Sequence, residues 1–582
     1  VTATVPAEVF DTPFTRRLTD RRDSTAPAFT YLDCSSGTHA VEETITWADL
    51  VTRMRSISAG LRRLAAPGDR VAVLCAQDLG YVTAFLGALH AGLVAVPLFA
   101  PEVRSHRARL KGALADCDAR VWITTDHRLT SSCEFAESAG LTPPGEIVTV
   151  EALLREDVPD TTPAAVGLDD PAYLQYTSGS TRDPAGAVIT HRALLASCWQ
   201  VAQAYAVDTG TTCAGWIPFF HDMGLIQLLC LPVFTGARSV FMPPLEFIRR
   251  PLRWLEQLAG YPNVFTAAPN FAFDLAVQSV PERQRSTLDF SGVRVALNGS
   301  EPVRPDTVAA FAAAFEPHGF TPEAHQPSYG LAEATVYVSS AGKAGPTVTA
   351  FDRAALARGR ARAVPRGSAG ATELVSVGRP VGQLVRIVDP EGHRLRPDGE
   401  MGEVWVHGPH VAAGYWRQPE RTAETFGARI AGAPEDVPAS GWLRTGDLGV
   451  VCDGLLYLTG RIKDLIIVDG RNVYPQDVEE TVAKAHPAVR PDRVAAFAVA
   501  DEQGERVVVL AEPARGVEPG DLDHDEIARL VRRAVSAEHE VALGAFHLVE
   551  PGTVPRTSSG KVSRAAARAR FLAGTGAQDV RE

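Results

Sequence analysis

No Cys-x-x-Cys pair occurs among the eight cysteines (Cys34, Cys75, Cys117, Cys133, Cys198, Cys213, Cys230 and Cys452). Their scatter offers neither zinc-ligand spacing nor a disulfide framework, and reduced thiols of a cytoplasmic protein are the expectation. Surplus basic charge is missing too: 57 Lys and Arg against 69 Asp and Glu leave a net charge of −12. That balance excludes the basic footprint of a nucleic-acid binder. It does not exclude a nucleotide, whose charge is met locally by a metal ion and a few cations. The first residues lack a basic segment followed by an apolar run, so no secretory leader is expected. The stretch from Tyr81 to Pro101 is uncharged and approaches the length of a membrane span. Gly87, His90, Gly92 and Pro97 interrupt it, so a helix followed by a core strand at 93–98 is expected, without stable membrane insertion.

A chain of 582 residues exceeds what one hydrophobic core serves and implies at least two domains. Hydrophobic residues at 45% and charged residues at 22% are ordinary for a globular protein. The first 170 residues alternate helical and strand patterns. Trp47 to Leu64 and about Arg104 to Ala115 read as helices, Arg70 to Cys75 and Val121 to Thr125 as strands. This alternation predicts an α/β fold with helices flanking a largely parallel sheet.

An apolar strand, Pro171 to Leu174, leads into a turn holding Thr177, Ser178, Gly179, Ser180 and Thr181, closed by Pro184 and Gly186. Glycines let backbone N–H groups approach an anion, and hydroxyls add donors. No Lys-Ser or Lys-Thr pair follows, so this is no Walker loop, and Gly-x-Gly-x-x-Gly is absent as well. A Ser/Thr/Gly cluster is by itself most often a solvated turn.

The order Tyr-Thr-Ser-Gly-Ser-Thr-x-x-Pro-x-Gly resembles the phosphate loop of the adenylate-forming superfamily of acyl-CoA synthetases, luciferases and peptide-synthetase adenylation domains. Leu174 to Arg182 is most similar to its fatty acyl-AMP ligase branch. Many relatives carry lysine where Ala185 stands, and Arg182 is the cation available to substitute. Further motifs follow in the family's order. Trp216 to Ile226 contains His221, Asp222, Met223 and Ile226; the resemblance implies that the histidine lies near the reacting carboxylate, beside the acyl pocket. Asn270 and Phe271 open a segment implied to follow the acyl channel. Asn298, Gly299, Ser300, Glu301 and Pro302 resemble the turn against adenine. In Ser328-Tyr329-Gly330-Leu331-Ala332-Glu333 the tyrosine is implied to lie against adenine and Glu333 to reach Mg²⁺ on ATP. Asp447 matches the aspartate that accepts from ribose hydroxyls, Arg461 a ribose or phosphate contact, Lys463 the hinge, and Lys561 the adenylation lysine between carboxylate and α-phosphate. Val473 stands where the branch's pattern has histidine.

The resemblance implies an N-terminal adenylation domain over 1–462 and a mobile α+β C-terminal domain over 463–582, with disorder after about 574. Within the first lie an insertion at about 341–372, with an Asp-Arg-x-x-Leu core, and a β-rich, barrel-like lobe at about 374–460. In that branch the insertion packs on the small domain and disfavours use of CoA. The implied reaction converts a carboxylic acid, most simply a fatty acid, and MgATP to acyl-AMP and pyrophosphate. Transfer to the phosphopantetheine thiol of an acyl carrier protein would follow, in a lipid or natural-product pathway. Three alternatives stay open: a bulky terpenoid, aryl or polyketide acid, a true acyl-CoA ligase, and a non-catalytic nucleotide-binding protein.

Overall fold

The computed structural model describes residues 4–35, 37, 40–101, 107–141, 145–155, 162–176, 184–468, 471–501, 504–517, 522–539, 541–557 and 561–574. The Thr177–Thr181 loop with Arg182, and the tail after 574, lie outside the described residues. The chain forms a large N-terminal domain of helix-flanked sheets and a smaller C-terminal α+β domain.

Local sequence accounts for many of the elements. Trp47–Leu64 is a helix because Thr46 and Asp49 make a reciprocal capping box, while Leu50, Met54, Ile57 and Leu61 bury one face. The uncharged stretch divides as its glycines demand: a helix at Leu79–His90, then, after Gly92 (φ 76°), a buried strand at Val94–Pro97. No described helix is long and apolar enough to cross a membrane. All eight cysteines are unpaired and six are buried.

The early strands do not share one sheet. Arg70–Val73, Val94–Pro97, Val121–Thr124 and Ile147–Thr149 join Pro171–Tyr176 in a six-stranded sheet, parallel except where Pro171–Tyr176 pairs with Gly186–Thr190. Pro27–Asp33 and Val41–Thr46 instead close the edge of an eight-stranded sheet, with Pro27–Asp33 lying parallel to Arg238–Phe241. That pairing spans some two hundred residues, and local pattern carries no information about it. Farther across the same sheet, Val264–Ala268, Val293–Asn298 and His325–Tyr329 run parallel.

A five-stranded antiparallel sheet from Leu384 to Arg461 forms the β-rich lobe. Its last two strands, Ser440–Cys452 and Leu455–Arg461, are joined by Asp453 (φ 52°) and Gly454 (φ 71°), which make a two-residue hairpin turn. The C-terminal domain packs the helices Pro475–Ala485, His524–His539 and Arg564–Gly574 on a three-stranded sheet. Val473 is buried in that domain's core. Ala185 is likewise buried, in the main N-terminal core.

The segment 341–372 holds a strand, Val348–Asp352, paired antiparallel with Ala371–Val375, and a short helix, Arg353–Ala357. Each member of its Asp-Arg-x-x-Leu core has a separate task. Asp352 caps the helix through the N–H of Ala355 at 2.8 Å. Arg353 reaches over to donate to the carbonyl of Glu538 in the small domain at 2.7 Å. Leu356 is buried with Phe351 in a cluster that includes Tyr474.

Candidate active site

The parallel strands Val293–Asn298 and His325–Tyr329 both end at one cleft, the usual place for a ligand in an open α/β sheet. The cleft gathers Asp222, Met223, Gly299, Ser300, Ser328, Tyr329 and Gly330 from three separate motifs. Two glycines are there for want of room. A Cβ on Gly299 would meet the Ser328 carbonyl at 2.9 Å, and one on Gly330 the Val336 carbonyl at 1.5 Å. Ser300, at φ 70°, holds a left-handed conformation unusual for its type and donates to the sulfur of Met223 at 3.8 Å.

His221 opens the short helix Asp222–Gly224, and its Nδ1 lies 2.7 Å from Asp222 Oδ1. The same oxygen accepts from the Met223 N–H. Burial pushes the Asp222 carboxyl up, but the His221 ring, these hydrogen bonds and the charge of Lys561 outweigh it, and the net direction is down. The strand entering the Thr177–Thr181 loop is tied to this point, since Gln175 donates to the Phe220 carbonyl at 3.0 Å.

Tyr329, at the end of its strand, donates to Asp447 Oδ2 at 2.6 Å, and Arg461 Nε sits 2.8 Å from Oδ1. Both oxygens of this buried carboxylate are engaged, each with a lone pair to spare. Burial and the Asp447 charge together push the Tyr329 phenol far up, so it stays a donor. Asp447 in turn raises Arg461. Glu333 accepts from the Tyr415 hydroxyl at 2.7 Å through Oε1.

Lys561 arrives from the C-terminal domain, within electrostatic reach of Glu301, Asp222, Arg461 and Asp447. Burial pushes its ammonium below the ordinary lysine value, while Glu301 and Asp222 pull it back. The preceding loop docks on the large domain where the Arg556 guanidinium lies 5.8 Å from the centre of the Phe271 ring. Glu301 steadies that spot by accepting from the Phe271 N–H at 2.6 Å.

Other expected residues lie off the cleft. Asn298 and Asn270 bond each other at 3.3 Å, and Asn270 also accepts from the N–H of Arg304, so both brace the 298–304 turn. Ile226 is fully buried in the core. Pro302 and Lys463 are exposed, Leu331 is half-buried and Ala332 is buried. Thr177, Ser178, Gly179, Ser180 and Thr181 are outside the described residues. Among the described residues no group of three or more His, Cys, Asp or Glu could hold a metal alone.

Several residues carry no motif signal and emerge only from the geometry. Gln77 accepts from the Phe219 N–H and donates to the carbonyls of Ile217 and Met242, which fixes the segment before His221. Tyr415 reaches Glu333 through a bridge between Ala187 and Tyr415 across two lobes. Gln227, Leu297, Val336 and Tyr337 complete the wall.

One half-buried lysine within electrostatic reach of carboxylates, and an aspartate with acceptor capacity beside a cleft at the ends of parallel strands, suit the joining of an acid to a nucleotide. That is the chemistry of the adenylate-forming class. The family model "AMP-binding enzyme" matches residues 15–416, and "Disco-interacting protein 2-like, AMP domain" matches 463–578. Long-chain-fatty-acid–AMP ligase FadD26 of Mycobacterium marinum is 40% identical over 557 residues, covering 94% of each chain. The 4-hydroxyphenylalkanoate adenylyltransferase of Mycobacterium tuberculosis is 39% identical, covering 94% of this chain and 89% of its own. A solved structure from a study of fatty acyl-adenylate ligases of E. coli and L. pneumophila superposes with a TM-score of 0.85 at 31% identity, covering 97% of this chain and 99% of that one. The chain belongs to the AMP-binding enzymes, in their fatty acyl-AMP ligase branch, and is an acid–AMP ligase.

Proposed function

We infer that the protein joins a carboxylic acid, in the first place a fatty acid, to AMP. A carboxylate oxygen attacks the α-phosphorus of ATP, the bond from that phosphorus to the bridging oxygen breaks, and pyrophosphate leaves. Little covalent work falls to the protein in such a step, so positioning and charge stabilisation dominate. The observation that carries the reading is that Lys561, a C-terminal-domain cation, comes within electrostatic reach of Asp222 and Glu301 of the large domain, Asp222 being part of the cleft wall. Its ammonium would neutralise charge shared by the carboxylate and the α-phosphate. His221, oriented by Asp222, would position the acid, with Met223, Phe271 and more distant Asn270 and Ile226 shaping its pocket. The nucleotide would lie along 298–302 and 328–332, with ribose hydroxyls donating to Asp447 beside Arg461.

Glu333 uses one carboxylate oxygen for Tyr415 and keeps the other for a cation. A single carboxylate suits Mg²⁺, which takes most of its ligands from water and phosphate. Mg²⁺ bound there would neutralise phosphate charge. The Thr177–Thr181 loop would hold the outer phosphates.

Domain limits of 1–462 and 463–582, with Lys463 as hinge, are supported by the second family match beginning at 463. The 341–372 insertion would restrain rotation of the small domain through Arg353, favouring a carrier-protein phosphopantetheine thiol over CoA as acceptor. A second reading, an aryl-substituted acid, draws support from the 4-hydroxyphenylalkanoate adenylyltransferase relative.

The test is pyrophosphate release over a panel of aliphatic and aryl acids, with and without CoA. Acid-dependent release should fall on the order of 10²–10³-fold in Lys561→Ala, the scale of losing one preorganised charge contact, and should leave acyl-AMP as the product. CoA thioester as the main product would remove the proposed role of the insertion. No release with any acid would sink the ligase reading.

A further inference from the structure

Of the polar side chains lining the cleft, five have partners. Asp222 takes His221 and a backbone N–H, Ser300 the Met223 sulfur, and Ser328 the Tyr205 hydroxyl and the Ser339 carbonyl. Tyr329 holds Asp447, and Tyr337 holds Ser340. Gln227 is the exception. It is 3% exposed and lines the cleft, yet its Oε1 is buried without a hydrogen bond and its amide has no partner among the described residues. Most buried polar groups are paired, and an orphaned one calls for an explanation. Gln175, Gln200 and Gln257 also bury an unpaired Oε1 but spend their amide N–H inside the protein, whereas Gln227, like Gln326 elsewhere, spends neither, and of these only Gln227 lines this cleft.

The backbone around Gln227 departs from the regular helix as well. Leu225–Cys230 is a π turn, in which the N–H of Leu231 reaches the carbonyl of Ile226, five residues back. Such turns are uncommon and concentrate at functional sites. Here the turn belongs to the helix that begins at Asp222, and Gln227 stands about one turn beyond Met223, roughly 6 Å along the axis at the helical rise. Its neighbours on that helix are therefore Asp222 and Met223, assigned above to the acid. Tyr329, assigned to the nucleotide, lines the same cleft from another element, whereas Asp447 and Arg461 are not part of its lining.

We propose that Gln227 is a specificity-determining residue whose amide binds an oxygen substituent, hydroxyl or keto, on the acid a few carbons from its carboxylate. The inference rests on the ligase reading above and narrows it: the preferred substrates are oxygenated acids, and plain alkanoic acids are the poorer class. A hydroxyl can accept from the amide N–H and donate to Oε1, whereas a keto oxygen accepts from the N–H alone. A methylene in the same place leaves Oε1 buried without a partner, which is how a buried polar group rejects an analogue lacking the matching group.

The experiment compares kcat/KM for pyrophosphate release between matched acids of equal length, unsubstituted or bearing one hydroxyl or keto group at carbons 2 to 5. The wild-type enzyme should favour one oxygenated position by roughly tenfold to a hundredfold. Gln227→Leu should collapse or invert that ratio, mainly through KM for the acid, with no matching change in KM for ATP. Gln227→Asn, a shorter amide, should weaken the ratio without inverting it. A wild-type enzyme indifferent to oxygenation at all four positions overturns the proposal, and that comparison needs no variant to fold. An unchanged ratio in Gln227→Leu, or an effect confined to KM for ATP, overturns it as well. These failures are distinct from failure of the ligase reading, which would show as no acid-dependent pyrophosphate release at all.

Discussion

Gly330 stands where any side chain would collide with backbone, because its Cβ would lie 1.5 Å from the carbonyl oxygen of Val336. Nothing flexible is available to move aside. Gly330→Ala should therefore shift either the Ser328–Gly330 turn or the 336–337 segment, both of which wall the cleft. The expected cost is about 1–3 kcal/mol or more, on the scale of overpacking. Urea unfolding would measure it, and an unchanged midpoint with unchanged activity would show that the backbone yields freely. The Tyr329–Asp447 bond makes a related point. At 2.6 Å it is charge-assisted, and it fixes the tyrosine ring that the motif alone could only assign to a nucleotide. The lysine motif likewise named Lys561 but could not say which carboxylates surround it, because Glu301 and Asp222 lie hundreds of residues away in the chain.

At the level of elements, the helix Pro475–Ala485 starts with Pro475 in its first turn and Asp477 just after, an arrangement that ordinarily favours ionised aspartate at a helix N-terminus. Burial wins here. It pushes the Asp477 carboxyl up to about 7, with Glu480 and Glu479 adding to the rise and Arg353 and Arg564 opposing it. A folded value above the unfolded one of about 3.9 means that the fold prefers the protonated form. Stability from this group is then complete below about pH 4 and is lost as pH rises towards about 7. Asp477→Asn never ionises, so its unfolding midpoint relative to wild type should climb between pH 5 and pH 7 and level off above. A difference that stays flat across that range would mean that the carboxylate is ionised throughout. Propensity and capping rules foresee the helix and its start, but they cannot foresee this reversal, because it depends on what the tertiary structure lays over residue 477.

On the scale of the whole molecule, the insertion meets the small domain through the apolar cluster of Phe351, Leu356 and Tyr474 and through the polar contacts of Arg353. Arg353 donates to the Glu538 carbonyl at 2.7 Å and pairs with the Glu538 carboxylate at 3.5 Å, at the end of the helix His524–His539. The Lys484–Asp306 pair, at 3.1 Å, is solvent-exposed on both sides and should contribute under about 1 kcal/mol. Arg353→Ala should therefore loosen the joint where Lys484→Ala does not. Hydrogen exchange in the last turns of the helix His524–His539 should rise several-fold in the first variant only, with the N-terminal core unaffected. Equal exchange in both variants would remove Arg353 as the tie.

Much of this protein was written in local sequence. The helix at 47–64 and the strand before the Thr177–Thr181 loop follow from periodicity, capping and short-range spacing, which act within a few residues, and the motifs from Tyr176 to Lys561 were legible through their resemblance to the family. Tertiary structure alone decided that strands 27–33 and 41–46 leave their neighbours for the far sheet, and that Asn298 and Asn270 brace a turn away from the cleft wall. It also brought in Gln77, Tyr415 and Gln227, which bear no motif and acquire meaning only from what they face. The physical reason is range. Backbone propensity and side-chain period are properties of adjacent residues, whereas burial, an unpaired amide or a carboxylate shared by two partners arises from segments that meet only once the chain has folded.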